Sequence, residues 1–191
     1  DAGATASDDT DGNLTSSITS TGSVDASTVG AYTVTYNVSD AAGNAAVAVV
    51  RTVNVIDTTL PTITLTGEAT VAVEAGSTYT DAGATASDGY DGTLTGSIAA
   101  TSTVDASTVG AYTVTYNVSD AAGNVAVAVV RTVNVVDATA PVITLTGDAT
   151  VEVEAGSTYT DAGATASDSY DGDLTGSIAA TGTVDASTVG A

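Results

Sequence analysis

Hydrophobic and polar positions alternate most clearly over residues 112–119, where Tyr112, Val114, Tyr116 and Val118 hold one parity and Thr113, Thr115, Asn117 and Ser119 the other. Successive side chains leave a strand on opposite faces, so this period of two predicts a half-buried β-strand. The segment D-A-A-G-N at 120–124 then reads as a turn, and 125–136 as the returning strand of a hairpin. In that strand Val125, Val127, Val129, Val133 and Val135 share a parity, but Arg131 shares it too. Either the guanidinium meets a carboxylate, or a bulge near Val130 exchanges the faces; the bulge is the preferred reading.

Upstream the pattern breaks into shorter pieces. Strand A is read at 63–66, after Pro61, which has no N–H to donate and suits a strand entrance. A second short segment follows at Thr70–Glu74, strand B covers about 78–86, strand C lies within 97–104, and 106–110 forms a corner. About seven strands separated by Gly, Asp and Ser turns predict an all-β sandwich.

The same pattern recurs. D-A-G-A-T-A-S-D begins at Asp1, Asp81 and Asp161, and residues 1–57 match 81–137 at 47 of 57 positions, so the chain is one 80-residue module in tandem. The expected division is a partial repeat at 1–57, a complete one at 58–137 and a partial one at 138–191. Both ends fall inside a module, which suggests a window on a longer polymer such as a fibre.

Composition narrows the chemistry. Twenty-three acids face two bases, Arg51 and Arg131, for a net charge of −21, with no Lys to neutralise phosphates; no nucleic-acid partner is expected. Hydrophobic residues at 43% nevertheless argue for a packed fold rather than disorder. The longest apolar run, 125–130, falls far short of the ~20 residues of a membrane helix, so no membrane span is expected. Without Cys, Lys or Gln there is neither a disulfide nor an isopeptide or Thr–Gln ester cross-link. The absence of His, Cys and Lys also excludes the Ser-His-Asp triad, a thiol nucleophile, a Schiff base and a zinc site ligated by His or Cys. Paired carboxylates remain, but they recur in every module, which does not suit a catalytic site. The chain is read as non-enzymatic.

The motifs P-x-I-T-L-x-G, T-Y-T-D-A-G-A-T-A-S-D, Y-D-G-x-L-T, Y-T-V-T-Y-N-V-S-D-A-A-G-N and R-T-V-N-V together resemble the bacterial immunoglobulin-like repeats found in tandem in large secreted and surface-anchored proteins, adhesin stalks among them. Within them S-T-V-G-A-Y, ending at Tyr112, resembles a tyrosine corner. The resemblance implies tandem Ig-like β-sandwich domains, an extracellular or cell-surface setting and no catalysis. In that topology the B–C loop, the F–G loop and the incoming linker share one pole of the sandwich. They supply Asp88 and Asp91, then Asp120 and Asn124, then Asp57.

The next junction supplies Asp137, Asp168 and Asp171, with Asp173 as an extra acid, and the first repeat shows Asp8, Asp9, Asp11, Asp40 and Asn44. Flexible, oxygen-rich groups of this kind suit calcium, which takes six to eight oxygen ligands. The competing reading is that these Asp and Asn residues only make turns. Like charges ~5 Å apart at an effective dielectric of ~20 repel by roughly 3 kcal/mol, which tips the reading toward calcium at each junction. Asp81, Asp105 and Glu74 are read instead as solvated turn or strand-end acids at the opposite pole, and Glu152 and Glu154 as the wet face of a strand.

Tyr90 and Tyr170, each between two Asp residues, could pack across a junction or present a ring to a glycan. The leading function is an extracellular fibre or adhesin stalk whose partners are neighbouring repeats, including self-association into a fibre. The alternatives are an adhesive module for a glycan or cell-surface protein, and a spacer tethering a catalytic domain elsewhere.

Overall fold

The computed structural model describes residues 3–190. In the first repeat the strands are β1 (Ser7–Asp8), β2 (Gly12–Asn13), β3 (Thr19–Thr21), β4 (Gly30–Asn37) and β5 (Val49–Val55). The central repeat holds β6 (Thr62–Leu65), β7 (Thr70–Glu74), β8 (Ala84–Asp88), β9 (Gly92–Thr93), β10 (Ala99–Ser102), β11 (Gly110–Asn117) and β12 (Val129–Val136). The last repeat holds β13 (Val142–Leu145), β14 (Ala164–Asp168) and β15 (Gly172–Asp173). The only helices among the described residues are single 3-10 turns at Thr15–Ser17, Thr95–Ser97 and Thr175–Ser177. The fold is all-β, and the seven strands of the central repeat form an Ig-like sandwich.

Its two sheets have the orders β10-β11-β12-β7 and β6-β8-β9. All pairings are antiparallel except β7 on β12, which is parallel. The inward faces meet in a core of Ile63, Ala86, Val114, Tyr116, Val118, Ala126 and Val133. Removing each such aliphatic side chain from water contributes about 1.5–3 kcal/mol, before the entropy of ordering it. The alternation in 112–119 therefore does what its period predicts: Val114, Tyr116 and Val118 are buried, while Thr113, Asn117 and Ser119 face water. The Tyr112 hydroxyl donates to the Thr108 carbonyl at 2.9 Å, and Tyr32 to Thr28 at 2.8 Å, so the tyrosine corner is present in both repeats.

Three expectations need correction. Strand B pairs over Ala84–Asp88 rather than 78–86; ahead of it the Tyr79 hydroxyl bonds Asp81, whose carboxylate in turn accepts from the Tyr116 hydroxyl of β11. The last strand begins at Val129, not Val125. Its bulge lies earlier than Val130: Tyr116 faces Val129 and Ser119 faces Val125, three steps on one strand against four on the other. From Val129 onward the alternation is unbroken, so Arg131 points inward beside Val133 and Val135 and is only 1% exposed.

The guanidinium is satisfied on every side. It bonds the Asp81 carboxylate and the Tyr116 hydroxyl through Nη1, the Thr66 and Gly83 carbonyls through Nη2, and the Glu68 carbonyl through Nε. Asp81 also accepts from the Tyr79 and Tyr116 hydroxyls and from Gly83 N–H. Burial alone would raise its pKa, but these donors outweigh burial and hold the carboxyl at about 2. The solvated-turn role expected for Asp81 is thus replaced by an ion pair of the half-buried Asp81 with the buried Arg131, in a network joining both sheets.

In the first repeat, Ala6, Leu14, Ile18, Tyr36, Val38 and Val49, the copies of residues packed around Ile63, line an open cleft of about 430 Å³. In the last repeat Ile143, the copy of Ile63, is 64% exposed.

Candidate metal centre

Asp88 ends β8, where a three-residue loop returns the chain to β9 and Gly92 takes φ 74°. Only a glycine adopts that dihedral without strain, which is why the motif reads D-x-x-D-G. Within the loop Asp88 Oδ1 accepts Tyr90 N–H at 2.7 Å and Asp91 N–H at 3.1 Å. These backbone donors, Asp91 first and then Tyr90, hold the Asp88 pKa below the usual range. Its other oxygen, Oδ2, is buried with no hydrogen-bond partner, on a residue only 9% exposed.

Asp91 Oδ2 accepts Ala121 N–H at 2.8 Å and so ties this loop to the D-A-A-G-N turn. In that turn Asp120 takes Asn124 N–H and Nδ2, both at 2.7 Å, and Nδ2 also reaches the Asp57 carbonyl at 3.2 Å. Asp57 itself caps Thr59 N–H through Oδ1 at 2.9 Å and leaves Oδ2 buried and unpartnered. As a result Asp57, Asp88, Asp91 and Asp120 each bring one carboxylate oxygen within 4.8 Å of the others.

The second junction gathers Asp137, Asp168 and Asp171 within the same limit. Asp168 repeats the role of Asp88, accepting Tyr170 N–H at 2.7 Å and Asp171 N–H at 3.1 Å while Oδ2 stays buried and unpartnered. Desolvation, then the negative charges of Asp168, Asp171 and Glu74, push the Asp137 pKa up. Asp173 is not in the group; it accepts Thr175 N–H at 2.9 Å and caps the 3-10 turn.

In the first repeat the loop bonds recur, with Asp8 accepting from Thr10 and Asp11, Asp11 from Ala41, and Asp40 from Asn44. Among the described residues Asp8, Asp11 and Asp40 do not converge as the other two sets do. Neither site contains a cationic side chain, since Arg131 is committed to Asp81 and Arg51 donates to the Gly3 carbonyl.

Glu74 is not the solvated turn or strand-end acid expected from the sequence. It accepts Ala138 N–H, Thr139 N–H and the Thr139 hydroxyl, the last at 2.7 Å, and so grips the linker next to Asp137. Its partners lie 64 and 65 residues away, and the only hint was that Glu74 ends a short strand at the outgoing pole.

Hyalin of Lytechinus variegatus is 40% identical over 139 residues, covering 68% of this chain, and the chain spans about a quarter of hyalin's length. A solved lipoprotein of Bacteroides thetaiotaomicron, BT2262, aligns at 28% identity over 42% of this chain and 39% of its own, with a TM-score of 0.37. The family model described as bacterial surface protein, Ig-like domain, matches residues 1–55, 63–135 and 143–191. With all three repeats matched, the chain belongs to the bacterial surface protein Ig-like domain family.

Proposed function

We propose that this chain is a non-enzymatic stretch of an extracellular stalk or fibre, divided at 1–57, 58–137 and 138–191, whose junctions are stiffened by calcium. The observation that carries the calcium reading is the buried, unpartnered Oδ2 of Asp88, facing the carboxylates of Asp57, Asp91 and Asp120. A buried polar atom without a partner is costly, and a cluster of anions without a cation more so. A hard divalent ion relieves both with oxygen ligands alone. Asp57 comes from the linker and the other three from the body of the repeat, so one ion ties the connection between repeats to the sandwich.

The test is thermal melting of the whole chain in chelator and in millimolar calcium, alongside isothermal titration. Free calcium at ~100 times its dissociation constant adds about 2.7 kcal/mol to the bound state. Asp88→Asn is expected to abolish most of that gain while leaving the chelated melting temperature unchanged or raised. Equal melting of the unaltered protein in both conditions would falsify the calcium reading.

A further inference from the structure

The loop that cradles the proposed cation also reaches out of its own repeat. The Tyr90 hydroxyl accepts Val29 N–H at 3.0 Å, and the Tyr170 hydroxyl accepts Val109 N–H at 3.4 Å. Both bonds span 61 residues, so the second reproduces the first one period along. The receiving corner is rigid from within: Asp25 accepts Ser27 N–H at 2.9 Å, Ser27 Oγ at 2.5 Å and Thr28 Oγ1 at 2.8 Å, and Tyr32 closes on Thr28 O at 2.8 Å. Asp105, Ser107, Thr108 and Tyr112 repeat that arrangement. On the donor side, Asp88 and Asp168 hold the tyrosine backbone N–H at 2.7 Å, so the side chain is aimed by a fixed loop.

The first repeat carries Thr10 at the matching position. Its loop is folded in the same way, with Thr10 N–H on Asp8 at 2.8 Å, but threonine lacks the reach of a tyrosine. Loop shape is therefore constant along the chain, while its two central residues change from Asp9 and Thr10 to Gly89 and Tyr90 and to Ser169 and Tyr170.

We infer that this position is the docking residue of a repeat–repeat interface. A repeat with tyrosine latches onto the D-A-S-T-V-G corner of the repeat before it, whereas a repeat with threonine forms an unlatched joint. The partner is another copy of the same module, recognised through the Val29 or Val109 amide that its Asp-capped corner presents. The grip of Glu74 on Ala138 and Thr139 supplies a second point of attachment at the second junction, so the angle between repeats is held at linker and loop together. The inference takes its setting from the junction reading above, but the latch contains no metal ligand and stands without calcium.

The chain has no Cys, so Thr33→Cys and Thr113→Cys, at exposed strand positions in adjacent repeats, give an unambiguous pair of spin labels. Inter-label distance distributions are measured for Tyr90, Tyr90→Thr and Tyr90→Phe in chelator and in calcium, with melting as the check that Tyr90, 48% exposed, is not needed for folding. Tyr90 is expected to give one narrow peak that both substitutions lose in chelator. A Tyr90→Thr or Tyr90→Phe peak as narrow as the parent overturns the latch. Calcium narrowing all three alike, with no tyrosine dependence, leaves the calcium reading standing and removes this one; tyrosine dependence without a calcium effect does the reverse.

Discussion

A single arginine among apolar valines is the residue on which the central repeat turns. Arg131 is buried because three carbonyls, one carboxylate and one hydroxyl surround its guanidinium, leaving no donor direction facing hydrocarbon. Arg131→Ala would strand the Asp81 charge and is expected to cost about 3–5 kcal/mol in urea unfolding. Asp81 also sets an acid limit. Its folded pKa of about 2 lies below the ordinary 3.8, so its contribution of about 2 kcal/mol is complete above 3.8 and is lost as pH falls toward 2. Asp81→Asn should flatten the stability profile in that window, and an unchanged profile would show that other acids set it. The parity of Arg131 announced the problem in the sequence. The answer was hidden because Asp81 sits in a D-A-G turn motif whose local chemistry is also that of a solvated Asp, and the partners lie 50 residues apart.

Among the elements, the β11–β12 hairpin was legible because both strands alternate and the turn carries Asp, Gly and Asn where they are needed. A bulge was legible, but its place at 127–128 rather than near Val130 was not, since alanine and valine there fit either face equally well. The same contrast holds at the candidate site. Asp88, Asp91, Asp120 and Asp57 were legible because turns at one pole of a sandwich converge, whereas the capping role of Asp173 depends on a local 3-10 turn that its hydrophobic pattern does not signal. Strand A has its own signature in packing. Ile63, 8% exposed, packs in the core with Ala86, Val114, Tyr116 and Val133, so Ile63→Ala should cost about 2–5 kcal/mol in urea unfolding.

At the scale of the whole molecule, protons and the proposed cation would compete for the same joints. Asp137 takes up its proton at a higher pH than an ordinary aspartate, so acidification is expected to weaken the proposed calcium binding at the second junction, which calcium titration of the whole chain at pH 7 and pH 5 checks. Tension, too, is set by how the strands connect. The parallel pairing of β7 with β12 matches Thr70 through Glu74 to Thr132 through Val136, and Ala75 N–H adds a bond to the Val136 carbonyl at 2.8 Å. A pull along the chain draws β7 by its start and β12 by its end. Parallel neighbours loaded in that way are sheared, so their bonds resist together instead of opening one at a time. Drawn out along the chain, the central repeat should resist through this pairing, and Ala75→Pro should lower its rupture force; a force unchanged by that substitution would place the resistance elsewhere.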